Sequence, residues 1–310
     1  MLVVHTLADL SRGDRGYCLA WGMFDGVHLG HQHVIRAALT DAATHGAQSA
    51  VLTFDPHPLR VVQPERAPRL LQSVSQRLRA FQHLGVDSTL LFPFTEEVAR
   101  WSGETFLHRL VTEARGLRSL CVGQGFQFGY QRSGDLSLLE RLGRELGFVV
   151  HVAPPVALGG EVVSSSRIRH CLREGQLDHV AELLGRPYAL AGVVERGDRL
   201  GRELGAPTAN LAIPGLELPP AGVYAARVRR LKSASDHRAV LNLGVRPTLA
   251  EPDGVLRFEV HLLDFNDNLY DEELEVTFVQ YLRAEQRFAS LPDLRSQIAR
   301  DINAARQALD

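Results

Sequence analysis

Through the first half of the chain, short apolar runs alternate with longer stretches whose apolar residues recur every three or four positions. The runs are 17–21, 49–54, 88–93, 119–123 and 148–152. Each is short and closed by a glycine, proline or polar turn, as buried strands are. Between them 33–44, 73–84, 105–114 and 136–146 carry helical spacing. Ser73 stands where a helix N-cap belongs, and Gly85 and Gly147 stand just past helix ends. This strand–helix alternation predicts an α/β fold, a doubly wound parallel sheet with helices on both faces. Ligands of such sheets bind beyond the carboxyl ends of the strands.

The texture then changes. Two helical stretches, 167–174 and 177–184, are followed by Gly185-Arg186-Pro187. Beyond it come short strands at 188–195, 222–229, 238–243, 257–263 and 274–281, separated by Gly, Pro, Asn and Asp. Regular short strands with turns predict a small antiparallel β-barrel or sandwich. The last segment, 291–309, places Leu294, Ile298, Ile302 and Ala305 on one face, so a C-terminal helix should pack on that barrel. The expected division is a first domain over 1–186 and a second over 187–310.

Composition narrows the chemistry. Hydrophobic residues make up 45% and charged residues 23%, which excludes a disordered or fibrous chain. The net charge of −2 offers no general nucleic-acid footprint. Lys232 is the only lysine among 34 basic residues, and it sits in a polar loop sequence. A P-loop needs Lys directly after Gly, and a protein kinase needs a strand Lys paired to a helix Glu. Both designs are excluded, so any nucleotide chemistry must rely on His, Arg, backbone amides and metal. Cys18, Cys121 and Cys171 are widely spaced and form no CxxC, which favours a reducing compartment. Neither a leader pattern nor an apolar run of the ~18 residues that a membrane span needs is visible. The expectation is a cytoplasmic protein with no membrane or nucleic-acid partner.

The densest motif is Gly22-Met23-Phe24-Asp25-Gly26-Val27-His28-Leu29-Gly30-His31. It follows a strand and opens a helix. Backbone N–H groups at such a corner, with the helix dipole, favour phosphate. His28 and His31 are three apart, so both can face one bound group. Two other readings stand beside this one: an ordinary strand–helix corner with surface histidines, and a zinc site of His28, His31 and His33 that lacks an acidic or Cys fourth ligand nearby. The phosphate reading accounts for more of the motif. A second helix start, Ser164-Ser165-Ser166-Arg167-Ile168-Arg169, repeats the logic. Ser164 or Ser165 can cap it, and Arg169 is placed to reach a polyphosphate; alone, a routine cap with a surface Arg is the better reading, but beside the first motif it is not.

Together these motifs resemble the adenylyltransferase superfamily, with its HxGH and late SSxxIR signatures. Gly22 to His31, Thr53-Phe54-Asp55-Pro56-His57-Pro58 and Val122-Gly123-Gln124-Gly125-Phe126-Gln127-Phe128-Gly129 resemble one branch, the FMN adenylyltransferase module of prokaryotic bifunctional riboflavin kinase/FAD synthetases. The resemblance implies a Rossmann-like nucleotidyltransferase domain in which FMN phosphate attacks the α-phosphate of ATP, giving FAD and pyrophosphate. It implies ATP contacts from Gly22, Phe24, His28, His31, Ser164, Ser166 and Arg169, with His28, His31 and Arg169 catalytic, and a flavin contact from His57. This chain departs from the family at Gly125, where Asp or Asn is common, and at Gln127, where Arg is frequent.

In the second half, Gly197-Asp198-Arg199-Leu200-Gly201-Arg202-Glu203-Leu204-Gly205-Ala206-Pro207-Thr208-Ala209-Asn210 reads as a glycine loop entering an extended segment. Such a loop can cover phosphates with its N–H groups. Thr208 and Asn210 project from one face, where a hydroxyl and an amide oxygen suit Mg²⁺. A plain turn with Asx-type bonds fits these residues as well. In Arg257-Phe258-Glu259-Val260-His261-Leu262, alternation puts Glu259 and His261 on one face. Glu259 on the inner face of a small barrel would be a candidate general base, whereas a half-exposed strand would leave it in solvent.

The same segments resemble the riboflavin kinase domain, as do Gly222-Val223-Tyr224, Asn242-Leu243-Gly244-Val245-Arg246-Pro247-Thr248 and Leu282-Arg283-Ala284-Glu285-Gln286-Arg287-Phe288. The resemblance implies ATP contacts from Gly197, Gly201, Gly205, Pro207, Thr208 and Asn210, with Thr208 and Asn210 organising Mg²⁺. It implies Glu259 as the base for riboflavin's terminal hydroxyl, and a flavin contact from Arg283. Ala206 stands where Phe is usual, and Asp271 where Gly is usual. The expectation is an enzyme that converts riboflavin to FMN and FMN to FAD with ATP. Two alternatives remain: a riboflavin kinase with a weak or inactive adenylyltransferase domain, and a non-catalytic flavin-binding protein.

Overall fold

A computed structural model describes residues 1–10, 15–196, 206–246 and 255–310. Its strands and helices fall into two compact units.

The first unit comprises residues 1–69 and 74–165. It opens with β1 (Leu2–Val4) and α1 (Leu7–Leu10), both too short to leave a periodic signature. Then follow β2 (Tyr17–Trp21), α2 (Leu29–His45), β3 (Gln48–Asp55), α3 (Pro58–Val62), α4 (Val74–His83) and β4 (Ser88–Pro93). After these come α5 (Glu96–Ala99), α6 (Gly103–Glu113), β5 (Leu117–Gly123), α7 (Leu136–Leu146) and β6 (Val149–Ala153). A two-strand hairpin, β7 (Ala157–Leu158) and β8 (Glu161–Val162), leads to α8 (Ser165–Arg173).

Six strands form one parallel sheet in the order β1-β4-β3-β2-β5-β6, one strand more than the apolar runs predict because β1 joins the edge. The four inner strands, β2 to β5, are largely buried on both faces, which explains their apolar runs. On one face Leu19, Trp21, Leu52, Leu90 and Leu120 pack with Phe106, Leu107, Leu110 and Leu139 from α6 and α7. On the other, Ala20, Val51 and Cys121 pack with Val34, Ile35 and Ala38 of α2 and Phe81 of α4. The Trp21 and Phe106 rings stack at 4.7 Å. Helix ends follow their chemistry: Asp135 caps α7 by accepting from Leu138 N–H, and Gly147 closes it in the left-handed region.

The second unit comprises residues 70–73 and 166–310. It holds most of α8, then α9 (Leu177–Leu184), β9 (Ala189–Glu195), β10 (Ala209–Ala212), β11 (Gly222–Arg230), β12 (Ser235–Arg246), β13 (Val255–Leu262), β14 (Glu273–Arg283) and α10 (Leu291–Leu309). The strands close a six-stranded antiparallel barrel in the order β10-β13-β12-β11-β14-β9. β10 completes it; its four residues follow the glycine loop directly and carry no strand signature of their own. Tyr188, Tyr224, Phe258 and Phe278 form the aromatic interior. Outside the wall, α10 sets Ala305 and Leu309 against Ala225. Its end is pinned by the Arg306–Asp264 fork at 2.6 and 2.9 Å.

The compact units part between Ser165 and Ser166, some way before the composition break at Arg186. The reason is visible in the second unit. Arg173 of α8 forks onto the buried Glu217 at 2.9 and 3.2 Å, and Tyr188 donates to the Glu217 carbonyl at 2.8 Å. Leu70 pairs with Leu216 as a short bridge. The break at Gly185-Arg186-Pro187 marks a change of secondary structure, not of packing.

Candidate active sites

The first site is the β2–α2 corner. Arg77 of α4, 2% exposed, donates from Nη1 to the Met23 carbonyl (3.0 Å) and to Thr53 Oγ1 (3.2 Å), and from Nη2 to the Phe54 carbonyl (3.4 Å). Thr53 Oγ1 itself donates to the Met23 carbonyl at 2.9 Å. The loop that leaves β2 and residues Thr53 and Phe54 near the end of β3 are thus held to one buried cation. Ser165 Oγ donates to the Asp25 carbonyl at 2.8 Å and ties the start of α8 to the same corner. α8 begins at Ser165, which puts Ser164 at its cap position.

Phe24 and Val27 have positive φ, 49° and 40°. Such backbone costs on the order of 1–3 kcal/mol per residue and persists only where its surroundings enforce it. Phe24 supplies part of that enforcement. Its ring is 2% exposed and meets His31 and Phe81 edge-on at 5.3 and 5.8 Å. Any nucleotide contact from Phe24 therefore runs through its backbone.

His28 is the N-cap of α2, with its Nδ1 accepting from His31 N–H at 3.3 Å. A neutral imidazole whose Nδ1 accepts carries its proton on Nε2, so His28 presents a donor there. The two rings stack at 3.6 Å. His31 Nδ1 is buried without a hydrogen-bond partner among the described residues. Burial, then the neighbouring His28 and Arg77, hold the His31 imidazole well below its ordinary value, so it is neutral at pH 7. Gly30 makes room for the pair, since a Cβ there would lie 3.2 Å from the His28 ring. The corner thus offers a helix N-terminus and imidazole N–H donors.

His57 caps α3 in the same way, its Nδ1 accepting from Leu59 N–H at 3.1 Å, so its Nε2 also carries a proton. Gly125 has φ of 78°, and a Cβ there would meet nothing within 4 Å. Asn and Asp tolerate that region best after Gly, which accounts for the family's choice at this position. In the second unit, Arg169 is buried at 7% exposure on α8 and Ser166 is exposed.

The second site is a cavity of about 290 Å³ bounded by the barrel wall, the segment after β14, and α10. Strand register builds it. Asn210 pairs with Glu259, Glu259 with Asn242, Asn242 with Val223, and Val223 with Arg283. One row across five strands thereby sets Asn210, Glu259, Asn242, Val223 and Arg283 side by side on one face, and all five line the cavity. Thr208, two residues before Asn210, lines it too, as the extended spacing predicts. His261 donates from Nδ1 to the Pro207 carbonyl at 2.8 Å and fastens the Thr208 segment to β13.

The expectation of an inner-face Glu259 needs correction. Phe258, Val260 and Leu262 point into the barrel, at 2%, 0% and 4% exposure. Glu259 lies on the outer face, in the cavity beneath α10. Both faces of this strand are covered, so alternation tells which residues share a face but not which face is inside. Arg257 Nη1 donates to Glu259 Oε1 at 3.2 Å. Arg283 is already engaged: it forks onto the buried Asp301 of α10 at 2.9 and 2.7 Å, and Gln297 donates to the same carboxylate at 2.8 Å. Asp301 and Arg77 belong to none of the motifs, and Asn242 and His261 carry no assigned role in theirs; only tertiary placement gives them these partners. Gly197, Gly201 and Gly205 lie outside the described residues.

Residues 11–167 match the FAD synthetase family and residues 184–309 match the riboflavin kinase family. The chain is 40% identical to the bifunctional riboflavin kinase/FMN adenylyltransferase of Pseudomonas fluorescens, over 99% of this chain and 97% of the relative. The chain belongs to the bifunctional riboflavin kinase/FMN adenylyltransferase family. The protein of that name from Escherichia coli K12 is 36% identical over 99% of this chain and 97% of its own. The crystal structure of the macrolide-efflux protein from Streptococcus pneumoniae matches with a TM-score of 0.82 at 26% identity, covering 99% of each chain. Among the described residues no helix is long and apolar enough to cross a membrane.

Membership makes this a flavin-cofactor enzyme that carries a kinase and an adenylyltransferase domain, with ATP as co-substrate. It also gives the family's departures a physical reading. Asp271 has φ of 64°, the left-handed region, so the usual Gly is replaced by a residue that tolerates it. Ala206 lines the barrel cavity, where the usual Phe would take up space.

Proposed function

We propose that the two chemistries divide at the composition break, adenylyl transfer on 1–186 and riboflavin phosphorylation on 187–310. The family matches support this by ending at 167 and resuming at 184. In the kinase half, the Glu259 carboxylate accepts the proton of riboflavin's terminal ribityl hydroxyl as that oxygen attacks the γ-phosphorus of ATP, and ADP leaves. The single observation that carries this is the strand row, which sets an acid between two amides in a cavity. Thr208 Oγ1 and the Asn210 amide oxygen share that cavity with Glu259, an all-oxygen donor set that fits Mg²⁺. Bound there, Mg²⁺ would neutralise phosphate charge. Pro207, Gly197, Gly201 and Gly205 contact the nucleotide, and Arg283, once exchanged from Asp301, orients the flavin.

In the adenylyltransferase half, a phosphate oxygen of FMN attacks the α-phosphorus of ATP and pyrophosphate leaves. Neutral His28 and His31 donate hydrogen bonds to the phosphate oxygens as charge grows on them, with Gly22 and Phe24 contributing backbone. Ser164, Ser166 and Arg169 hold the triphosphate, and His57 Nε2–H contacts the flavin. The reactants are small soluble molecules, which agrees with a cytoplasmic enzyme without nucleic-acid or membrane partners.

Incubation with riboflavin, Mg²⁺ and ATP, followed by chromatography, should yield FMN and then FAD. Absence of both from folded protein would refute the reading. Glu259→Ala should stop FMN formation but still convert supplied FMN; His31→Ala should do the reverse. Loss of both activities from either change in a folded protein would overturn the division. Gly125, which puts no side chain into open space, supports one second reading, a kinase with a weak adenylyltransferase. Supplied FMN that yields no FAD would establish it.

A further inference from the structure

At the end of the parallel sheet opposite the β2–α2 corner, five side chains converge without a role in either reaction. Cys18 stands near the start of β2, Ser119 pairs with it on β5, and His151 lies on β6. α2 crosses this end of the sheet and brings Asp41 and His45, one helical turn apart. Asp41 lies about 20 Å from His28 along α2, at ~1.5 Å per residue. The corner's phosphate chemistry therefore does not explain it.

The Asp41 carboxylate is the hub. Ser119 Oγ donates to Asp41 Oδ2, and Cys18 Sγ lies within 4.8 Å of the same carboxylate. His45 Nδ1 lies 3.2 Å from Asp41 Oδ1, and His151 Nε2 lies 3.5 Å from Asp41 Oδ2. One ligand atom each from Cys18, Asp41 and His45 falls within a mutual separation of 4.8 Å. Among the described residues it is the one cluster of His, Cys and acidic side chains with that geometry. A cavity of about 630 Å³, lined by Asp41, His45, Ser119 and His151, opens onto it from solvent.

We propose that Cys18, Asp41, His45 and His151 form a four-coordinate site for a borderline-soft divalent cation of the zinc class, separate from both ATP sites. Zinc takes S, N and O ligands at ~2.0–2.3 Å in a tetrahedron, which sets neighbouring ligand atoms roughly 3.5 Å apart. Asp41 already lies at that spacing from both imidazoles; Cys18 and His45, within 4.8 Å of each other, need to close by about 1 Å, and His151, outside that group, has further to turn. The His45 and His151 side chains are 52% and 43% exposed, so their rings can turn to do it. On binding, the Cys18 thiol releases its proton to water and Ser119 Oγ keeps Asp41 oriented from the second side. A bound ion would join β2, β6 and the end of α2, so its role is to fix this end of the sheet.

The test is titration of the chelator-stripped full chain with cobalt(II), followed by absorption. One equivalent should produce the bands of four-coordinate cobalt and the charge-transfer band of a cobalt–thiolate bond, and excess zinc should erase both. Cys18→Ser should remove the thiolate band, while Cys171→Ser and His31→Ala should leave the titration unchanged. His45→Ala, at an exposed position that does not threaten folding, should weaken binding at least tenfold and leave both enzymatic activities intact. A wild-type titration without a thiolate band, or a band that survives Cys18→Ser, overturns the proposal. If Cys18→Ser does not fold, His45→Ala decides: unchanged cobalt affinity overturns it.

Discussion

Arg77→Met removes the buried cation that joins the loop leaving β2 to the end of β3 while roughly keeping its volume. Two of its contacts have ordinary hydrogen-bond lengths, to the Met23 carbonyl and Thr53 Oγ1. Hydrogen bonds from a charged group contribute about 1.5–3 kcal/mol each. The lower end applies, because Thr53 and Met23 keep the bond they make to each other. Loss of the nearby positive charge also disfavours the buried Asp25. The expected destabilisation of the first unit is about 2–4 kcal/mol, a large share of the ~5–15 kcal/mol that holds a domain together. Both tryptophans, Trp21 and Trp101, lie in this unit, so tryptophan fluorescence in urea reads its unfolding alone. With a slope of about 2 kcal/mol/M the midpoint should fall by roughly 1–2 M. FAD formation from FMN should fall at the same time, with riboflavin phosphorylation within twofold of wild type. A midpoint shift below about 0.3 M with adenylyl transfer intact would refute the assignment of Arg77 as the joint of this corner.

Three further outcomes follow from the geometry. Gly30→Ala presses a Cβ against the His28 ring, yet alanine is favoured over glycine in a helix by up to ~1 kcal/mol; FAD formation should drop at unchanged or slightly higher urea midpoint, and a parallel loss of stability would contradict the steric account. His31 is neutral when folded, but its unfolded form protonates near pH 6.5. Its lowered folded value means that stability is fully present above that pH and falls below it, by up to about 1.4 kcal/mol per unit; His31→Ala should flatten this acid limb when urea midpoints at pH 7.5 and 5.5 are compared. Asp301→Asn breaks a carboxylate fork that accepts three hydrogen bonds, and should cost the barrel about 2 kcal/mol or more by calorimetry. It should lower riboflavin phosphorylation and leave conversion of FMN to FAD within twofold.

Element identity was legible where local chemistry punctuates the chain. α7 and α10 take the bounds that periodicity predicts, because Asp135, Gly147 and Ser290 stand at their ends. β1 and β10 escaped notice because three or four residues hold no period, and because β10 emerges from a glycine-rich stretch. The histidine corner was legible because its donors are neighbours in sequence. Arg77 was not, since a polar residue on an amphipathic helix gives no sign that tertiary structure buries it. Glu259 fell between these cases: its strand and partners on one face were readable, but which side of the barrel it occupies depends on where α10 comes to rest.

The row that runs Asn210, Glu259, Asn242, Val223, Arg283 has a kinetic consequence. These side chains become neighbours only after strands far apart in sequence have paired, and such non-local pairing is slow. The His28–His31 pair lies within one turn of one helix. On refolding from denaturant, riboflavin phosphorylation should return only at the rate of barrel closure, and FMN adenylylation only once Arg77 and Ser165 have tied their distant segments around that pair.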